Sequence, residues 1–264
     1  MHRDELIEQI TRLAKADSRV LGLFLTGSLG AGTGDPWSDV DTVFVVTPSD
    51  HGAFVAELRD WVSQVAVPLI WRQVYPPHPL FHTVLPNWLR LDMTITTLEH
   101  LIGTQAGARA LHDPQGLFQR LPAALDPRGP DPARVAYLIE EFLRVIALLP
   151  LSVGREEPVV GVSGVGLLRG LLIDLMVEAQ APPVTPGALS LARVLPPGDI
   201  DILAGLPAVA ATSPSVIAAS LAVAQAFLPR SRTLADASGA PWPAELVEEV
   251  SAHLKHALDI DLPD

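Results

Sequence analysis

The chain has 264 residues, enough for one large domain or two small ones. Of these 48% are hydrophobic, none is cysteine, and the net charge is −12, which supplies a sizeable core and excludes disulfides and thiolate metal sites. The eight histidines show no zinc-ligand spacing, there are only two lysines (Lys15 and Lys255), and the arginines do not cluster. The basic surface that a nucleic acid polymer demands is therefore missing, whereas an acidic surface steers small cationic ligands or simply keeps the protein soluble.

The N-terminal MHRDELIEQI is charged and amphipathic and lacks the apolar stretch of a signal peptide, so cytoplasmic residence is expected. Residues 4–16 place Leu6, Ile7, Ile10, Leu13 and Ala14 at helical spacing. Residues 20–26 (VLGLFLT) form an apolar run suited to a buried strand. Residues 27–36 hold Gly27, Gly30, Gly32, Gly34 and Pro36 and read as a turn and loop. Residues 39–46 (DVDTVFVV) are β-branched and strand-like, and 51–66 place Phe54, Leu58, Trp61 and Val62 on one helical face. Strands follow at 69–75, 81–85 and 88–95, the last two joined by Pro86-Asn87 as a tight turn. In 88–95 Leu89, Leu91, Met93 and Ile95 form an apolar face, and Trp88, Arg90, Asp92 and Thr94 a polar one.

No strand is expected beyond about residue 98. Residues 113–132 are rich in Pro and Gly and read as a linker. Helical patterns recur near 133–149, 159–180, 213–228 and 243–258. No run of ~18 uncharged apolar residues lacks turn formers. The richest, 159–177, is interrupted by Gly161, Gly164, Gly166, Arg169, Gly170 and Asp174 and reads as a buried helix rather than a membrane span. The expected fold is α/β (α+β): a small mixed-sheet domain over 1–112, a linker over 113–132 and an all-helical domain over 133–264, with a cleft between the domains.

The chemistry is concentrated in residues 25–46. After a buried strand, Gly27 lets the chain turn sharply and bares backbone N–H groups, and Ser28 adds a hydroxyl; together they suit a phosphate. Asp39 and Asp41 are two apart on one strand face and repel each other unless a cation lies between them, and hard, like-charged oxygens favour Mg²⁺. If the strand of Asp92 pairs beside theirs, three carboxylates converge on one or two ions, the arrangement that clamps an in-line phosphoryl transfer.

Gly-Ser, ten intervening residues, Asp-apolar-Asp and a third acid on a later strand resemble the DNA polymerase β-type nucleotidyltransferase superfamily, and Pro36-Trp37-Ser38-Asp39-Val40-Asp41 is similar to its Pro-x-Ser-Asp-hydrophobic-Asp motif. A small α/β domain followed by helices resembles the antibiotic nucleotidyltransferases that adenylylate aminoglycosides or lincosamides. The resemblance implies that Gly27 and Ser28 hold the triphosphate of ATP or another NTP, that Asp39 and Asp41 bind Mg²⁺, and that Asp92 is a third ligand or the catalytic base. The partners implied are the nucleotide and a small hydroxyl-bearing acceptor; the charge disfavours nucleic acid, and no membrane partner is expected. Alternatives are a transferase acting on tRNA or protein, as a toxin module would, and a non-catalytic nucleotide-binding module. Glu140, Glu141, Asp174 and Glu178 are further candidates for a base or a grip on a cationic substrate, and Arg169 for a triphosphate contact. Trp37, Trp71, Trp88 and Tyr75 are candidates for stacking or for core packing. His78, His82, His253 and His256 receive no role.

Overall fold

A computed structural model describes residues 1–74, 77–182 and 188–263. Two compact units divide the chain, Met1–Leu125 and Asp126–Asp264. Tyr75, expected at the end of a strand and as a stacking aromatic, lies outside the described residues.

The first unit is built on a six-stranded sheet. Its elements are α1 (Arg3–Ala16), β1 (Val20–Thr26), the four-residue helical turn α2 (Gly27–Gly30), β2 (Val40–Val46), α3 (His51–Ser63), β3 (Ile70–Val74), β4 (Leu80–Leu85), β5 (Leu89–Thr97) and β6 (Arg109–His112). The strand order is β3-β4-β5-β2-β1-β6. Only β2 and β5 run parallel; every other neighbouring pair is antiparallel. A parallel pair needs a crossover, and α3 with the β3–β4 hairpin supplies it.

One face of the sheet is apolar. Leu23, Leu25, Phe44, Leu91, Met93 and Ile95 are buried there with Leu6 and Ile10 of α1 and Phe54, Leu58 and Trp61 of α3. This is the alternation read in 88–95. The other face is apolar only at one end, where Phe24, Val43 and Val45 pack with Ala108, Leu117 and Leu121. Its other end carries the polar residues described below. The turn at Pro86-Asn87 is a 3-10 turn, with Asn87 left-handed at φ 64°.

One sequence expectation is corrected in this unit. A strand does occur after residue 98: β6, held by pairing with β1. Within 113–125 the chain packs inward, since Leu117 and Leu121 are 2% and 4% exposed and Asp113 accepts from the backbone N–H groups of Leu117 and Phe118.

The second unit is helical: α4 (Pro132–Ile146), α5 (Leu149–Gly154), α6 (Pro158–Gln180), α7 (Pro197–Gly205), α8 (Ser213–Ser238) and α9 (Ala244–Leu258). Asp131 caps α4, its side chain accepting from Ala133 N–H, with Pro132 in the first turn. Phe142 and Phe227 stack with centroids 3.8 Å apart at the centre of its core. Helix α7 was not expected, and α8 runs ten residues past the expected end, through Pro229. Buried Ser231, Leu234 and Ala235 hold the continuation. Helix α6 lies where the sequence reading expects a helix, and by length and composition alone it is also long and apolar enough to cross a membrane. It buries Val165, Leu168, Leu172, Leu175 and Met176 against α4 and α8, while Val159, Val160 and Leu167 on its other side are exposed.

Candidate active site

The pairing register brings the polar side chains together. Thr26 at the end of β1 pairs with Asp41 on β2, Asp41 with Asp92 on β5, and Asp92 with His82 on β4. Residues paired directly across neighbouring strands face the same way, so Asp41, Asp92 and His82 form a row on the polar end of the sheet. Asp39, two residues before Asp41 and just outside β2, joins them. One carboxylate oxygen each from Asp39, Asp41 and Asp92 lies within 4.8 Å of the other two. All three aspartates are partly buried.

Gly27 takes a left-handed φ of 60°, and a Cβ there would run into the Asp41 carboxylate. The glycine thus provides both the backbone turn and the space for the acid. The turn is tied to the loop before β2. Ser28 and Ser38 hydroxyls are 2.8 Å apart, Asp35 N–H donates to Ser38 Oγ at 3.0 Å, and Trp37 N–H donates to Asp35 Oδ1 at 2.9 Å.

Electrostatics shifts the titration of Asp41. Burial, then the charges of Asp39 and Asp92, push the Asp41 carboxyl up to about 6 against the opposing pull of Arg90 and His82. Arg90 Nη1 is 3.6 Å from Asp39 Oδ2, and Arg90 Nη2 donates to the Trp37 carbonyl at 2.7 Å. His82 Nδ1 is 2.8 Å from Asp92 Oδ2. Three hard oxygens whose mutual repulsion Arg90 and His82 only partly offset fit a divalent cation such as Mg²⁺.

All three aspartates of the sequence reading are therefore brought together beside Gly27 and Ser28. His82 and Arg90 were missed. The Pro86-Asn87 turn carried the signal for His82: a hairpin that pairs 85 with 89 must also pair 82 with 92.

The other candidates have the following surroundings. Within the second unit Glu141 pairs with Arg144 at 2.6 Å and Asp174 with Arg134 at 2.7 Å. Glu178, 7% exposed, accepts two bonds from Arg128 and one from Asp131 N–H. Glu140 is exposed. Arg169 reaches the Leu203 carbonyl at 3.5 Å. Trp71 packs on Phe81 with centroids 5.0 Å apart, whereas Trp37 and Trp88 are 85% and 72% exposed.

Among solved structures, the chain is similar to an aminoglycoside 6-adenyltransferase from Bacillus subtilis, with 12% identity, a TM-score of 0.41, and coverage of 94% of this chain and 97% of that one. A nucleotidyltransferase-like protein from Exiguobacterium sibiricum shares 13% identity at a TM-score of 0.33, over 97% of this chain and 88% of that one. Terminal uridylyl transferase 4 from Trypanosoma brucei, with bound GTP, shares 15% identity at a TM-score of 0.31, over 56% of this chain and 46% of that one. No sequence among curated proteins matches. The model of the streptomycin adenylyltransferase family matches residues 1–159, which span the whole sheet unit with Gly27, Ser28 and all three aspartates. The chain belongs to that family and is a nucleotidyltransferase.

Proposed function

We propose that the protein transfers a nucleoside monophosphate, AMP from ATP, to a hydroxyl of a small acceptor of the aminoglycoside or lincosamide kind. The reaction is NTP + acceptor-OH → NMP-O-acceptor + pyrophosphate. The observation that carries this reading is the convergence of Asp39, Asp41 and Asp92 beside the Gly27 turn. Asp39 and Asp41 are the ligands of one or two Mg²⁺ ions, and Asp92 is a third ligand or the base that takes the acceptor's hydroxyl proton. Bound Mg²⁺ supplies Lewis-acid stabilisation of the charge that builds on the phosphoryl oxygens. Gly27 N–H and the Ser28 hydroxyl hold triphosphate oxygens. The net charge of −12 and the scattered arginines favour a small cationic acceptor over tRNA. The reaction belongs in the cytoplasm, where nucleoside triphosphates are plentiful.

The test is release of pyrophosphate from each of the four NTPs with Mg²⁺, against aminoglycosides, lincosamides, tRNA and protein acceptors. Turnover with ATP and a small antibiotic, abolished in Asp39→Ala and Asp41→Ala with folding retained, is the expected result. Retained turnover in Asp39→Ala would overturn the metal assignment. Labelling of tRNA or protein alone would overturn the acceptor assignment.

A further inference from the structure

We infer that His82 is a positioning residue that fixes the Asp92 carboxylate for metal binding. The inference rests on the metal reading above and deepens it. His82 stands directly opposite Asp92 in the β4–β5 register, and its Nδ1 meets Asp92 Oδ2 at 2.8 Å. The imidazole is half exposed, with 46% of the side chain accessible, so it has no packing duty that demands a histidine. A carboxylate on a strand is free to turn about its last torsion, which is broad and has no staggered wells. Asp39 and Asp41 repel Asp92, and that repulsion alone would swing its carboxylate outward. A donor on the side away from the two acids anchors one oxygen, Oδ2, at a fixed place there, and so limits the turn and sets the plane in which the carboxylate lone pairs point.

The backbone supports the same orientation, because Thr42 Oγ1 on β2 donates to the Asp92 carbonyl at 3.1 Å and locks the β2–β5 register at this point. Arg90 plays the corresponding part for Asp39. Asp39 and Asp92 therefore have one donor each, and Asp41 lies against Gly27. Outer partners of metal-binding side chains generally contribute about 10- to 100-fold in metal affinity or activity.

The experiment compares the native protein with His82→Phe, which keeps a ring but no donor, and His82→Asn, whose amide N–H takes the place of Nδ1–H. Mn²⁺ titration followed by calorimetry reads metal affinity without turnover. Mg²⁺ dependence of kcat with ATP reads function, and Tm reads folding. The expected result is about a ten-fold weaker Mn²⁺ affinity and a raised half-saturating Mg²⁺ in His82→Phe at unchanged Tm, with His82→Asn close to native. Native-like metal affinity in His82→Phe, while Asp39→Ala loses it, overturns the role of His82 and leaves the metal reading standing. Unchanged Mn²⁺ affinity in Asp39→Ala removes the metal reading itself, and this inference with it. Should His82→Phe fail to fold, His82→Ala, which also lacks the donor, decides by the same titration: a several-fold weaker Mn²⁺ affinity supports the inference, and native affinity overturns it.

Discussion

Gly27 leaves open the space that the Asp41 carboxylate fills. The two residues sit at the end of β1 and the start of β2, one strand apart, and a methyl group on residue 27 would collide with the acid. Gly27→Ala therefore carries two penalties. The left-handed backbone costs about 1–2 kcal/mol for a residue with a Cβ, and the collision pushes Asp41 out of the cluster. The expected outcome is a modest fall in Tm with a loss of about 100-fold or more in kcat/KM for the nucleotide, a factor worth ~2.7 kcal/mol of transition-state stabilisation. Steady-state kinetics beside a thermal melt reads both. An equal loss of stability and activity would contradict it.

Asp41 also predicts a pH dependence. An aspartate ionises near pH ~4 in the unfolded chain, and in the folded one Asp41 keeps its proton to about 6. Between these values the folded state binds more protons, so Asp41 costs stability progressively as pH rises and the cost is complete above pH 6. In metal-free protein, Asp41→Asn should therefore raise stability at pH 7.5 by at most about 2.7 kcal/mol, less what solvent screens from a part-exposed carboxyl, and change it little at pH 4. Saturating Mg²⁺ should narrow the gap by relieving the native cluster. Denaturant unfolding at both pH values, with and without Mg²⁺, tests the sign. A variant less stable than native at pH 7.5 without metal would refute it.

How far the sequence announces this arrangement depends on the range of the interactions involved. Asp39 and Asp41 are legible because two acids opening an apolar strand make sense only with a partner, and that pattern is local. Asp92 is legible because Leu91, Met93 and Ile95 claim the opposite face. His82 needed one further step, the pairing of two strands through Pro86-Asn87, before its position meant anything. Arg90 reaches Asp39 and Trp37 across the sheet, and only folding brings them together. Strand β6 has four residues, too few for alternation to show, and exists because the edge of β1 accepts it. Helix α8 outlasts Pro229 because burial of the residues beyond it outweighs the N–H that proline lacks.

Glu178 illustrates a different limit: its spacing from Asp174 suggests a substrate grip, yet its environment makes it structural. Burial raises its carboxyl pKa, but the two bonds from Arg128 and the one from Asp131 N–H outweigh that and hold it below the ordinary glutamate value. A depressed acid contributes stability above its unfolded pKa and loses it as pH falls through the folded one. Glu178→Gln should destabilise the protein by about 2–3 kcal/mol at pH 7. The difference from native should shrink below pH 4, while KM for the acceptor stays unchanged. A large acceptor KM effect at unchanged Tm would return Glu178 to the list of substrate contacts.

Ser38 gives the last prediction, because it joins the turn at Ser28 to the loop that delivers Asp39. Its hydroxyl meets Ser28 Oγ, the Asp35 N–H and Asp35 Oδ1, so a single oxygen holds three groups in place. Ser38→Ala removes that junction without altering charge. Losing hydrogen bonds at a part-buried hydroxyl costs about 1 kcal/mol of stability, visible as a small drop in Tm. The functional cost should be larger and should fall on nucleotide handling. With Ser28 released and Asp39 less firmly delivered, KM for ATP should rise several-fold, kcat should fall about ten-fold, and KM for the acceptor should stay near native. Ser38→Thr keeps the hydroxyl and should recover most of the loss. If Ser38→Ala instead raised KM for the acceptor alone, the loop would belong to the acceptor site, and the phosphate role of the Gly27-Ser28 turn would have to be reassigned.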